Sequence, residues 1–421
     1  MAQALDQSSS RGEPGPDTLP VRFPGPGFNL LDGIRVADLT TSVAGPYCAM
    51  LLGDMGADVI KIERPGSGDD ARAWGPPFCG GESLWFLAIN RNKRSMTLNY
   101  ATPQGRAALA AIIKSCDVVV VSQPPRVLQK LSVDAASCHA LRSDLIYVAI
   151  TGFGLQGGRS DWTCYDLIAE GYSGIMDLTG ESESGPQKIG APAADMLAGA
   201  DAAYAAVAAL FERQRSGRGH VIDVSLVESM TRFLACRIVP FLGSGELPRR
   251  SGGRDSVIAI YQAFDTADHP ITLGLGNDAI WQRFWVALGQ PKQAENPQYA
   301  SNRDRRAHRA AIVAEIGKIL RTAPRSHWLS LFAQARVPAG PINRVDEVVA
   351  DAEFLRRGLF YNLAVGEHLI PQVGTGIHVD GHANGVRHAP PKLGSSTVEI
   401  LRDIAGLSEA DIETLRQHNS I

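Results

Sequence analysis

The stretch GIRVADLTTSVAGPYCAMLLGDMGADVIKIE, Gly33 to Glu63, decides the fold class. GIRVADL (33–39) and ADVIKIE (57–63) are short β-branched, apolar runs that read as strands. TTSVAGP (40–46) is a loop of small residues, and YCAMLLGDM (47–55) reads as a helix. Strand, loop, helix and strand within about 30 residues make a βαβ unit, hence a parallel pair. Neither G-x-G-x-x-G nor G-x-x-x-x-G-K-[ST] occurs, so the dinucleotide and P-loop fingerprints are absent. A small-residue loop opening a helix still offers backbone N–H groups to a phosphate.

The same alternation continues outward. Arg64–Gly75 is a glycine-rich charged loop that reads as a solvated connection. A helical stretch Ser83–Asn90, a basic turn Arg91–Asn92–Lys93–Arg94 and a strand Ser95–Leu98 follow. A helix over Thr102–Lys114 leads to DVVVV (117–121), and LIYVAIT (145–151) comes next; both are continuous apolar runs of the kind found in buried parallel strands. The pattern predicts a doubly wound α/β domain. GFGLQGG (152–158) reads as a flexible loop, Thr163–Gly174 as a helix with Asp166 in its first turn, and Gly219–Ser229 as a strand entering a helix. Beyond about Thr231 the pattern changes. Tyr261–Leu275 alternates around an Asp-His-Pro turn, as in an antiparallel hairpin, and helices are expected over Trp281–Leu288, Arg306–Arg321 and Ser326–Ala335. This predicts a second, smaller α+β domain. Val337–Asn343 reads as a Pro/Gly-rich crossing back, and Leu401–Gln417 as one closing helix.

Bulk properties narrow the function classes. With 44% hydrophobic and 20% charged residues, the 421-residue chain has the composition of an ordinary soluble globular protein. A formal charge of −3 gives no electrostatic argument for nucleic acid or an anionic membrane. The six cysteines form no C-x-x-C pair and no zinc-like spacing, so they read as reduced thiols of a cytoplasmic protein, with no metal site. No apolar run is read as a membrane span. The first 28 residues, rich in Pro, Gly and Ser, read as a flexible extension without the apolar core of a signal peptide.

Chemistry concentrates in GAPAADMLAGADAAYAAVAALFERQRSGRG, Gly190–Gly219. Met196, Leu197, Ala200, Tyr204, Val207, Leu210 and Phe211 recur at helical spacing and predict a buried face; Arg213, Arg215 and the glycines Gly217 and Gly219 mark the end. Asp195 falls at the start, among residues too small and apolar to solvate a carboxylate. It reads either as a helix cap or as an acid reserved for chemistry. Asp166, taken alone, reads as a first-turn acid complementing the helix dipole.

Several stretches resemble the class III (family III) CoA-transferases, the group of formyl-CoA and carnitine CoA-transferases and α-methylacyl-CoA racemases. They are LDGIRVADLTTSVAGP (31–46), GDMGADVIKIERPGSGD (53–69), NKRSMTLN (92–99), LIYVAITGFG (145–154), YDLIAEGYSG (165–174), SGRGHVIDVSL (216–226), NDAIWQRFW (277–285), VPAGPIN (337–343) and PPKLGSSTVEIL (390–401). The resemblance implies an interlaced, ring-like homodimer. Its large Rossmann-like, CoA-binding domain would span 29–230, its smaller α+β domain 231–345, and a segment 346–421 would return to the large domain. It also implies that coenzyme A, as an acyl-CoA, and a carboxylic acid are the substrates, with no nucleic acid or membrane partner. By resemblance Asp195 is the nucleophile and Asp166 a secondary acidic site. Thr41, Ser42, Val43, Ala44, Arg64, Trp74, Leu98, Lys130 and Tyr165 match CoA- or pocket-contacting positions. Gly252 and Gly253 are candidates for a lid that keeps water from a reactive intermediate. The implied chemistry is nucleophilic: a carboxylate takes the acyl group as an anhydride, then CoA as a thioester.

Departures from the family pattern are Val121–Arg126, where the transferases read E-N-F/Y-x-P-G, and Gly394–Thr397, where they read G-E-H-T; no run of four glycines occurs in the smaller domain. Val43 stands where formyl-CoA transferases have glutamine, which argues against formate or oxalate. A 2-methylacyl-CoA racemase is the rival reading, with Asp166 as acid. It needs a histidine where this chain has Tyr165, and His139 lies 27 residues upstream of Asp166. A non-catalytic CoA-ester-binding subunit is the third reading.

Overall fold

The computed structural model describes residues 18–421. The chain divides into two compact units: one built from the chain up to Gly174, Ile189–Ile238 and Val349–Ile421, the other from Ile175–Lys188 and Val239–Val348. The segment 175–188, expected in the large domain, therefore clusters with the second unit.

The first unit contains strand β1 (Arg35–Asp38), helix α1 (Ala44–Asp54) and strands β2 (Asp58–Glu63), β3 (Lys93–Thr97), β4 (Val118–Val121) and β5 (Ile146–Thr151). Helices α2 (Asp166–Ser173) and α3 (Ala193–Ser216) and strand β6 (His220–Ser225) follow. The six strands form one sheet in the order β3-β2-β1-β4-β5-β6, every neighbouring pair parallel. Ala37 of β1 stands in register with Ile60 on one side and Val119 on the other. Val36, Ala37, Ile60, Val118–Val121 and Ile146–Ala149 are essentially inaccessible to solvent. Burial on both faces is why these strands read as unbroken apolar runs. Helix α1 begins at Ala44, three residues before the expected start, because Pro46 fits a first helical turn, where its missing N–H costs nothing.

Helix α3 corrects an expectation. Its buried face is the small one, Ala194, Ala198, Gly199, Ala202, Ala203 and Ala206 with Leu210, while Tyr204 is 79% and Phe211 61% exposed. Backbone proximity decides this: a Cβ on Gly199 would stand 2.6 Å from the Ala44 carbonyl oxygen, so only small residues let α3 lie against α1. The 24-residue helix has a mean hydropathy of 1.3 over an 18-residue window, long and apolar enough by those two measures to cross a membrane, although no membrane span was expected. Such a score is also typical of a core helix, and α3 packs along α1, β5 and β6.

Other differences have local causes. The basic turn is buried: Arg91 is 3% and Lys93 1% exposed, with Arg91 forked onto Asp54 at 3.0 and 2.7 Å. The solvated loop after β2 buries Asp69 and Ala71 and contains a short 3₁₀ helix, Asp70–Ala73. The closing helix is two helices, Thr397–Asp403 and Glu409–Gln417, separated by Gly406 at φ +68° and restarted by a Ser408–Asp411 capping box. Residues 1–17 of the expected flexible extension lie outside the described residues. Val21–Arg22, within the same expected extension, is a strand paired in parallel with Asn362–Leu363, and Gly25 N–H donates to the Val386 carbonyl.

In the second unit β7 (Tyr261–Phe264) and β8 (Ile271–Gly274) form the expected antiparallel hairpin. The crossing segment supplies a third strand, β9 (Ala339–Pro341), against β8. Trp281, Phe284, Trp285, Ile312, Ile316 and Phe332 fill this unit's core.

Candidate active site

The strand order reverses between β1 and β4, and in open parallel sheets ligands bind outside the carboxyl ends of the strands at that point. A cavity of about 250 Å³ lies there. Its walls come from the loop after β1 (Thr41 to Gly45), the loop after β4 (Ser122 and Pro124) and the end of β5 with the loop beyond it (Thr151 and Gly152). Trp74, Trp162, Cys164, Tyr165 and Asp195 complete the lining, together with Asp70 and Leu226.

Asp195 is the third residue of α3, not its cap. The N-cap is Pro192, which has no side-chain acceptor. The orphan N–H groups of the first turn go elsewhere. Those of Ala194 and Asp195 donate to Asp166 Oδ1 at 2.8 and 3.3 Å, and that of Ala193 donates to the Ala191 carbonyl, before Met196 N–H makes the first regular helical bond to the Pro192 carbonyl. The carboxyl of Asp195 is thereby left facing the cavity. Burial, then the nearby charge of Asp166, raises its pKa from 3.8 to about 7. Next to it Cys164 has its thiol pushed up to about 11 by burial and by the charges of Asp195 and Asp166. Cys164 packs so closely on Gly152 that a Cβ there would stand 2.2 Å from its own Cβ.

A buried set of four charges holds the loop after β1. Lys61 Nζ lies 2.8 Å from Asp69 and 3.8 Å from Asp38, and Lys93 Nζ lies 2.9 Å from Asp38; all four side chains are fully buried. Lys61 also donates to the Thr40 carbonyl at 3.1 Å, and Asp69 accepts the Ser42 N–H at 2.9 Å. Ser42 adopts φ +71°, a costly left-handed conformation that these bonds hold in place. Burial opposes the ionisation of Asp38, but the two lysines outweigh it and hold the group at about 2. Lys61 is likewise raised by its carboxylates against its own desolvation. Lys93, with a single carboxylate partner and Lys61 nearby, is pushed down by burial to about 8.

The structure brings together Thr41, Ser42, Val43, Ala44, Trp74, Tyr165 and Asp195 as one lining. Asp166 stands directly behind it through its bonds to α3. Arg64 reaches this wall only through its ion pair with Asp70. Leu98 offers no side chain to a ligand, being fully buried in the core below the sheet's edge with Met96 and Leu109. Lys130 is exposed in the last turn of the helix Pro125–Leu131 and is not in the lining. Gly252 and Gly253 belong to the second unit, where Gly252 sits at φ +59° with its N–H bonded to the Gly180 carbonyl. His139 bonds the Leu145 carbonyl at 3.0 Å and is not in the lining. Sequence reasoning missed Cys164, Thr151 and the four buried charges. One signal was available: a lysine in the middle of the apolar run DVIKIE demands a buried partner.

Similarity to known proteins shows the family. A family model described as CoA-transferase family III matches residues 31–397. A succinate–glutarate CoA-transferase of Agrobacterium fabrum is 37% identical over 381 residues, covering 89% of this chain and 95% of that protein. A human succinyl-CoA:glutarate CoA-transferase is 34% identical, covering 89% of this chain and 86% of that protein. Among solved structures, a CAIB/BAIF family protein from Brucella suis superposes with a TM-score of 0.79 at 36% identity, covering 90% of this chain and all of that one. With its parallel six-stranded sheet and a match spanning most of its length, the chain belongs to CoA-transferase family III.

Proposed function

We propose that this enzyme moves coenzyme A between an acyl-CoA and a free carboxylic acid, with Asp195 as the nucleophile. The observation that carries the reading is a carboxyl at the switch-point cavity that has no capping role and an elevated proton affinity. Ionised Asp195 attacks the thioester carbonyl; the C–S bond breaks, CoA leaves as thiolate, and a mixed anhydride forms. The thiolate then attacks the aspartyl carbonyl of that anhydride, releasing the donor acid as carboxylate and leaving CoA on Asp195 as a thioester. The acceptor carboxylate repeats both steps in reverse, so no net proton is consumed. Dividing one exchange into covalent steps conserves the energy of the acyl link. Each tetrahedral oxyanion needs N–H donors, worth about 3–4 kcal/mol apiece in other enzymes. The loop Thr41–Ala44 and Trp74 are the proposed walls for the CoA arm, with Tyr165 beside the reacting carbons. Gly252 and Gly253 remain our candidates for a lid.

The substrate class we propose is a short dicarboxylic acid and its CoA ester, as in the names of the two relatives above. The working enzyme is proposed to be a homodimer, which would give the exposed Tyr204 and Phe211 a covering surface. A racemase reading finds little support, because Tyr165 and a carbonyl-bonded His139 leave it without its base. Succinyl-CoA incubated with labelled glutarate should yield labelled glutaryl-CoA, and peptide mass mapping should place a CoA adduct on Asp195. Turnover retained in Asp195→Ala, or deuterium from solvent entering the α-carbon in place of exchange, would overturn the assignment.

A further inference from the structure

The first turn of α3 is capped by a residue from another element. Pro192 supplies no side-chain acceptor, so one oxygen of Asp166, the first residue of α2, accepts both the Ala194 and Asp195 N–H groups. An asparagine or serine could have satisfied the same donors. A carboxylate in that place complements the positive end of α3, and it also sets a full negative charge beside a second carboxylate, whose proton affinity it raises.

We propose that Asp166 is a positioning residue: it clamps the peptide that carries Asp195 and sets a fixed negative charge beside the nucleophile. The proposal rests on Asp195 being that nucleophile. Asp166 Oδ1 is engaged by two donors on α3 and the residue is not part of the cavity lining, so its place is behind the nucleophile and not against substrate. The clamp fixes the direction in which Asp195 leaves the helix. The charge makes the Asp195 carboxylate a stronger base, and so a better attacking group once ionised. The cost is that a larger fraction is protonated at neutral pH.

The surroundings leave Asp166 as the group that supplies this field. Asp70 across the cavity is paired with Arg64. Cys164 stays a thiol at neutral pH, and Tyr47 of α1, near Gly199, has its hydroxyl raised by burial. Tyr165 lines the same cavity. Further along α2, Glu170 accepts the Ile189 N–H at 2.9 Å. On the helix Leu226–Phe233, Arg232 is paired with Asp201 of α3, and Glu228 lies in the first turn.

Two variants of the full-length enzyme separate clamp from charge. In Asp166→Asn the amide oxygen can still accept the N–H groups, but the charge is gone. Thermal stability should stay close to wild type, while the acidic midpoint of the kcat/KM profile moves down by on the order of one pH unit and the plateau rate at high pH falls. In Asp166→Ala the clamp is lost as well. Its kcat should drop roughly tenfold to a hundredfold at every pH, with KM for the CoA ester little changed. An unmoved acidic midpoint in Asp166→Asn would overturn the proposal, as would a wild-type kcat in Asp166→Ala. The Asp195–CoA adduct in wild type is the control: its absence would sink the nucleophile assignment itself, whereas its presence with an unmoved midpoint would sink only the role of Asp166.

Discussion

Replacing Asp195 by Asn should make the protein more stable at pH 8 while abolishing transfer. An ordinary aspartate ionises at 3.8, and in the unfolded chain Asp195 does so; in the folded protein burial and Asp166 delay ionisation to about 7. Below 3.8 the group is neutral in both states and contributes no difference. Between 3.8 and about 7 the unfolded state gives up a proton that the folded state keeps, so folding stability falls steadily as pH rises; above about 7 the full penalty is in place. At 1.36 kcal/mol per pH unit the interval amounts to roughly 4 kcal/mol as a ceiling. The cavity is open to water, which screens the charge, so we expect about 1–3 kcal/mol at pH 8. Asparagine has nearly the same shape and no charge to desolvate. The assay is thermal unfolding of wild type and Asp195→Asn in parallel from pH 4 to pH 8, reading the difference in Tm at each pH. The two should melt together near pH 4 and separate by on the order of a few degrees at pH 8, the variant higher. A variant equal to or below wild type at pH 8 would mean that the carboxylate is well solvated, and the argument for a poised nucleophile would fail with it.

Other perturbations test the supports of the cavity. Asp69→Asn removes one of the two negative charges balancing Lys61 and Lys93; with a buried cation left unpaired, stability should fall by about 3–5 kcal/mol, read by urea denaturation. Gly199→Ala pushes a methyl group against the Ala44 carbonyl, so about 1–3 kcal/mol should be lost. Because Ala44 lines the cavity, KM for the CoA ester should rise in that variant as well. Cys164, held as a thiol up to about pH 11, should react with iodoacetamide at pH 7.5 far more slowly than exposed Cys236, and mass spectrometry of the labelled peptides checks the order.

What could be read in advance followed from local rules. Val118–Val121 and Ile146–Thr151 announce buried parallel strands because both of their faces are covered, and the βαβ unit at 33–63 follows from spacing alone. Asp195 was legible as a lone acid at a helix start. Its actual position, the third residue of a helix whose first turn is capped from another element, depends on Asp166, which is 29 positions away and joined to it only by the fold. The burial of Arg91 and Lys93 in the basic turn had no local signal, because their partners Asp54 and Asp38 are distant in sequence. Tyr204 and Phe211 of α3 misled in the opposite direction: large apolar side chains at helical spacing suggest a core, but how closely α1 can approach is set by glycine and alanine. Gly406 broke what looked like one closing helix because its positive φ is a backbone property that a periodicity count ignores.

The helices at Thr397–Asp403 and Glu409–Gln417 place Ile400, Leu401, Ile412 and Leu415 in the same core as strands β1 to β5. Thr397 accepts the Thr97 N–H across 300 positions, and the Ser420 carbonyl accepts that of Asn99. During synthesis the last strand of the parallel sheet, ending at Ser225, therefore precedes the residues that cover one of its sides by roughly 10–40 s. A nascent chain in that interval exposes Leu109, Ile113 and their neighbours, and it is then that chaperones have something to hold.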